Sequence, residues 1–195
     1  MPRPPDPELE GRILRAAELL WRRGGDRTLS MRAVARGART NTPAVYRRFK
    51  NRQDLLRALL LRIAVRTRQE FDQGKTVEQM AEVYLDAAMR RPHEYRLFYS
   101  HAGTLSPKKG RGKPRPIRES RPNFAYLEQR LAKRLGGLPQ DHTQLALALW
   151  ATLHGTAMLL LSGSIPDGHE EALRQACRTV VNRMMEWAVV ARAQK

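Results

Sequence analysis

The chain has 195 residues, 42% apolar and 28% charged, enough for one good-sized core or for a small domain joined to a larger one, and not the composition of a disordered chain. A formal charge of +17 and a pI near 11.2 are far from ordinary and point to nucleic acid, an anionic membrane surface or acidic ligands as partners. The single Cys177 excludes an intramolecular disulfide framework and fits a reducing cytoplasm, and the opening "MPRPPDPELEGRIL" lacks the apolar stretch of a secretory signal.

Helical periodicity runs through the chain and strand patterns are absent, so the expected class is all-α. Leu9, Ile13, Ala16, Ala17 and Leu20 make one apolar stripe, stopped by Gly24 and Gly25. Ser30 is placed to cap a short helix with Met31, Val34, Ala35 and Ala38 inward. A second short helix is expected over residues 42–49, with Pro43 in the tolerated first turn. "NRQD" at 51–54 then resembles a capping box, with Asp in place of the usual Glu or Gln, ahead of a long apolar helix.

"DQGKT" at 72–76 reads as a hinge. Beyond it, Val77, Met80, Ala81, Tyr84, Leu85 and Ala88 form another stripe, and "PHEYRLFYSHA" a short aromatic-rich helix. Residues 106–122 are rich in Gly and Pro and carry Lys108, Lys109, Arg111, Lys113, Arg115, Arg118 and Arg121 against Glu119 alone, which predicts a loop. It reads as a solvated segment or as a gate attracting an anionic ligand. Helices are expected over 123–135, 141–161 and 166–193. Residues 143–165 hold no Asp, Glu, Lys or Arg and are long enough to span a membrane. Gln144, Thr152, His154, Thr156 and Ser162 along the run, and the lack of flanking belts, favour a helix buried in a bundle or an oligomer interface.

The densest signal lies between Arg27 and Arg52. It carries eight basic side chains, Arg27, Arg32, Arg36, Arg39, Arg47, Arg48, Lys50 and Arg52, and no acid occurs between Asp26 and Asp54. Such self-repulsion is costly unless a polyanion is the partner. Two short helices joined by a tight turn suit the major groove of duplex DNA. In "RTNTPAVYRRF", Val45 and Phe49 point inward, while Thr40, Asn41, Thr42 and Ala44 sit at the exposed end. Asn41 suits an adenine edge, and Thr42 or Ala44 a thymine methyl. Tyr46, Arg47, Arg48, Lys50 and Arg52 are placed for phosphates, and the helix start near Arg52 offers a further anion site. Non-specific binding of nucleic acid by charge alone is the competing reading.

Residues 13–60 resemble the DNA-binding domain of the TetR family of transcriptional regulators. Ser30, Arg32, Val34, Ala35, Val45, Tyr46 and Phe49 fall on the family's "S/T-x-R-x-[IV]-A … [LV]-Y-x-x-F" pattern, and Arg52 sits where the family commonly has a phosphate-contacting Lys. "LWATLHGTAMLLL" at 149–161 is similar to a Trp-x-x-x-His-Gly pattern in one branch of the family. The turn departs from the family form, with Arg39 and Thr40 in place of Gly and an apolar residue. A positive φ at Arg39 would cost about 1 kcal/mol.

The resemblance implies a homeodomain-like helix-turn-helix domain over 1–50, a connecting helix over 51–72, and a helical regulatory and dimerisation domain over 73–195. It implies a cytoplasmic homodimer on a palindromic operator, paired through its last two helices and released by an unknown small-molecule effector. The apolar excess of those helices, with Ala148, Ala151, Thr152 and Gly155 small enough for close approach, points the same way. The expected DNA-binding set is Ser30, Arg32, Arg39, Thr40, Asn41, Thr42, Ala44, Tyr46, Arg47, Lys50 and Arg52. Candidate effector contacts, each of which reads first as plain core, are Tyr84, Tyr95, Phe98, Tyr99, Phe124, Leu127, Trp150, His154 and Met158. No catalytic residue, metal or cofactor is expected: His93, His101, His142, His154 and His169 lack metal-ligand spacing, and no phosphate loop or nucleophile elbow is present.

Overall fold

The computed structural model describes residues 6–105 and 116–194, and every regular element among them is helical. Residues up to Ile63 together with the stretch from His93 form one compact unit, and Ala64–Pro92 with residues from 116 onward form a second.

In the first unit, α1 (Leu9–Gly24) buries Ile13, Ala16, Ala17 and Trp21 and stops where Gly25 takes φ 60°, a value open to glycine without penalty. α2 (Met31–Gly37) starts on Ser30, whose hydroxyl accepts from the Ala33 N–H at 3.2 Å. Gly37 lets α1 and α2 touch: a Cβ there would stand 3.1 Å from that of Ala16. α3 (Thr42–Arg48) follows, with Pro43 in its first turn. α4 (Arg52–Phe71) gives Leu55, Leu56, Leu59 and Leu60 to the same core, each burying about 1.5–3 kcal/mol of transfer free energy. α6 (Pro92–His101) also belongs here: Leu97 lies fully inside this core. Buried Glu94 of α6 meets Arg22 of α1, which also pairs with Glu18 at 2.9 Å. A division by sequence at residue 72 therefore separates α6 from the helices it packs against.

The second unit holds the end of α4, α5 (Val77–Arg90), α7 (Ile117–Ser120), α8 (Pro122–Leu135), α9 (Thr143–Ser162) and α10 (Glu170–Ala193). Thr76 and Gln79 make a full capping box at the start of α5. Phe71, Met80 and Tyr126 form a small core with Val83, Tyr84 and Leu127 packed on it. α9 and α10 lie together over Ala146, Leu149, Leu153 and Ala157 on one side and Cys177, Val181, Met185 and Ala188 on the other.

Two expectations need correction. The basic segment is not loop throughout: Ile117–Ser120 is helical, because Arg118 reaches Glu128 at 3.1 Å and Thr143 Oγ1 at 3.1 Å and fixes the turn. Lys108, Lys109, Arg111, Lys113 and Arg115 lie outside the described residues. The last helix begins at Glu170, not 166, because Gly168 takes φ 83° just before it. The uncharged helix is buried on one side within the chain, and an open side is compatible with the expected alternative of an oligomer interface. Pro139–Ser162 is the one helical segment among the described residues long and apolar enough to cross a membrane, and 28% of an 18-residue apolar stretch within it is buried. Leu147, Ala151, Gly155 and Met158 run along its open side.

Candidate nucleic-acid interface

α2 and α3 pack through Val34, Ala35, Ala38, Val45 and Phe49, all buried, which leaves the opposite sides free. The turn between them is a Schellman closure: Thr40 N–H donates to Ala35 O at 3.0 Å and Arg39 N–H to Arg36 O at 3.2 Å. Arg39 holds the left-handed position with φ 53°, alone among the described non-glycine residues. Asn41 then caps α3, its Oδ1 accepting from Ala44 N–H at 2.8 Å.

Arg32, Arg36, Arg39, Asn41, Tyr46, Arg47, Arg48 and Lys50 are exposed, and Thr40 and Thr42 half-exposed. Tyr46 shows 51% of its surface, unusual for an aromatic beside a core. Several of the expected DNA contacts are engaged within the protein. Ala44 is buried in the α2–α3 contact, so its methyl cannot meet a thymine. Asn41 spends one lone pair of its carbonyl oxygen on the helix cap, so its amide is held in place by the fold of α3. Arg52 turns to the protein: its Nε donates to Leu29 O at 2.9 Å and its Nη2 pairs with Asp26. At the start of α4, Asn51 Oδ1 accepts from Asp54 N–H at 2.9 Å and Asp54 accepts from Lys50 N–H at 3.1 Å, so two of the backbone donors at the expected anion site are taken within the protein. Ser30 likewise serves as the cap of α2. Arg36, one turn beyond Arg32 and equally exposed, joins the basic edge, and that spacing was readable from the sequence.

The effector candidates do not form one group. Tyr95, Phe98 and Tyr99 belong to the first unit, with Tyr95 and Tyr99 rings 4.7 Å apart and Phe98 against Tyr99 at 5.4 Å. In the second unit Tyr84 stacks on Phe71 at 6.3 Å, Leu127 packs beside them, and Phe124 meets Trp150 edge-on at 5.9 Å. His154 is half-buried, and burial pushes its pKa below the ordinary value. Met158 is 42% exposed on the open side of α9, so it lines that outer face and not the interior.

Residues 13–59 match bacterial regulatory proteins of the tetR family, and residues 77–184 match the tetracyclin repressor-like C-terminal domain. The chain belongs to the TetR family. It is a sequence-specific DNA-binding transcriptional regulator with a helix-turn-helix head and a helical C-terminal domain. No curated protein sequence matches it. Solved structures share the fold. A protein of unknown function from Rhodococcus sp. RHA1 is 20% identical, covering 94% of this chain and 98% of that one, with a TM-score of 0.68. The multidrug binding protein EbrR complexed with ethidium is 22% identical, covering 92% and 99%, with a TM-score of 0.63. Its complex with imidazole is 23% identical, covering 94% and 93%, at 0.64.

Two polar arrangements in this TetR-family regulator escaped sequence reasoning. Arg68 lies over the Tyr126 ring at 3.3 Å, the Tyr126 hydroxyl bonds Asp72, and Arg130 donates to Gly74 O at 2.8 Å, so α8 fastens the end of α4 and the loop after it. Burial is the main cause that raises the Tyr126 pKa, with the Asp72 hydrogen bond adding to it. Fully buried Glu128 takes Arg118 and Thr143 on Oε1, while Oε2 has no hydrogen-bond partner. A charge among apolar helix positions carries no mark of burial, since its partner Arg118 comes from a segment that reads as loop.

Proposed function

We propose that this regulator binds a palindromic operator as a homodimer, acts as a repressor, and is released by a small molecule held in its C-terminal domain. The observation that carries the DNA half is an exposed basic edge: the side chains of Arg32, Arg36, Arg39, Thr40, Thr42, Tyr46, Arg47 and Lys50 have no carboxylate partner among the described residues. Arg32, Arg36, Arg47 and Lys50 neutralise phosphates, Tyr46 sets the register, and Thr40, Thr42 and Arg39 meet base edges in the major groove. Asn41 and Arg52 hold the shape of the head.

Pairing is supported by the outer faces of α9 and α10. Leu147, Met158, Val180 and Val190 are exposed apolar side chains, and Trp187 shows 69% of its surface. An uncovered apolar stripe of this kind marks an association surface, and two-fold pairing presents two reading heads to two half-sites. Ala151 and Gly155 on the open side of α9 permit close helix approach.

The effector reading draws on the C-terminal domain match and on EbrR, a multidrug binding protein complexed with ethidium or with malachite green. Tyr84, Phe124, Leu127, Trp150 and His154 are the contacts that remain within the second unit. A ligand releases operator only through unequal affinity for two conformations. No catalytic step enters this reading. The test is selection of bound sites from random duplexes, then competition against bulk DNA. A regulator yields one palindrome preferred by at least about 10³-fold, whereas a non-specific basic binder yields no consensus.

A further inference from the structure

A cavity of about 180 Å³ opens between α5, α9 and α10 of the second unit, apart from the aromatic group described above. Ala81 and Leu85 of α5, Leu153 of α9, and Cys177 and Val181 of α10 form its walls, all buried and apolar. A dry apolar cavity of about 150 Å³ is large enough to hold a benzene ring.

The mouth carries the discriminating feature. Its charged groups are Glu78, Glu82 and Arg178, two carboxylates against one guanidinium. Arg178 is already held by Glu82 at 2.8 Å and by Glu171 at 2.8 Å, and Glu82 also faces Arg174 at 3.7 Å. Glu78 is left over. Its half-buried carboxylate has no hydrogen bond or ion pair among the described residues, in a chain of net charge +17. Its place in the first turn of α5 suits the helix dipole, but that attraction leaves the carboxylate's outward lone pairs open. A neighbouring recess of about 370 Å³ shares Glu78 and has the same charge count, Glu78 and Glu186 against Arg134, but exposed Val189 and Val190 line it, so the buried apolar walls are what set the first cavity apart.

The geometry points to a binding site for a compact organic cation, with an apolar group of about one ring in the cavity and its ammonium against Glu78. An anionic ligand would be repelled by Glu78, and a neutral one would leave it unmatched. A partner of this charge converts a half-desolvated carboxylate into a charge-assisted contact.

The test is calorimetric titration of the full chain, without DNA, using benzyltrimethylammonium, with benzyl alcohol as the neutral probe of equal ring size. Expected is saturable binding of one benzyltrimethylammonium per chain, weakened roughly tenfold by Glu78→Gln and restored by Glu78→Asp. Benzyl alcohol binding should not respond to Glu78→Gln. Ala81→Met should fill the cavity and abolish both. Absence of saturable binding at millimolar probe overturns the site, as does binding indifferent to Glu78→Gln. Should Glu78→Gln instead convert dimers to monomers in sedimentation, a second copy covers the cavity and the proposal is also overturned. Because the titration contains no operator, its outcome is independent of whether the regulator responds to an effector.

Discussion

The backbone N–H of Thr40 meets the carbonyl of Ala35 at 3.0 Å, and that closure exists because Arg39 between them accepts φ 53°. The position is one that glycine fills at no steric cost. Arg39→Gly should therefore raise stability by about 1 kcal/mol in denaturant titration. It should also weaken DNA binding and lower the salt slope by about one, since a phosphate- or base-facing charge is lost. Opposite signs in the two measurements are the signature of a strained residue kept for its charge.

Asn41 supplies the cap of α3 through its bond to Ala44 N–H. Asn41→Ala should cost about 1 kcal/mol of stability, and Asn41→Ser should restore most of it. Operator affinity should follow stability across the pair. A Ser variant that folds as well as wild type but changes base preference would return Asn41 to direct reading.

Arg52 and Asp26 tie the start of α4 to the 3-10 turn after α1, and His101 lies 3.5 Å from the same carboxylate. Both partners are more than a third exposed, so Arg52→Ala and Asp26→Ala should each cost no more than about 1 kcal/mol in Coulomb energy. The double variant should lose less than the two single losses combined, as measured by thermal unfolding.

Much of the reading head was legible because its signals are local. Ser30 and Asn51 cap where their residue types and spacing place them, and the period of Ile13, Ala17, Val34, Val45 and Phe49 marks one core. Arg39 was identifiable as the strained position from its place in the turn. What failed depended on three dimensions. Ala44 is small enough to read as exposed or buried, and only the close approach of α2 decides it. Arg52 looks like a phosphate ligand until the chain brings Asp26 beside it. The aromatic candidates share a composition but not a unit, because α6 packs with helices far earlier in sequence.

His154 takes up a proton less readily in the folded chain than outside it, because burial disfavours the imidazolium. As pH falls below about 6.5, the unfolded chain protonates first. Stability therefore drops with falling pH and levels off once the folded ring protonates too. His154→Gln should flatten this part of the profile and leave stability near pH 8 little changed, as read by thermal melts in a pH series.

Trp187 is the most exposed large apolar residue on the α9–α10 face. Trp187→Glu should leave helicity intact, convert the protein to monomers in sedimentation, and weaken operator binding by removing the paired second head.

The most direct measurement is fluorescence anisotropy of a labelled palindromic duplex recovered by selection, titrated with wild type and with Tyr46→Ala against excess bulk DNA. Expected is a saturable complex that survives bulk competitor for wild type, and uniformly weaker binding for Tyr46→Ala with the same sequence preference. A wild-type complex erased by bulk DNA at equal weight, or a Tyr46→Ala variant that binds as tightly as wild type, would contradict a reading head built on the exposed edge of α3.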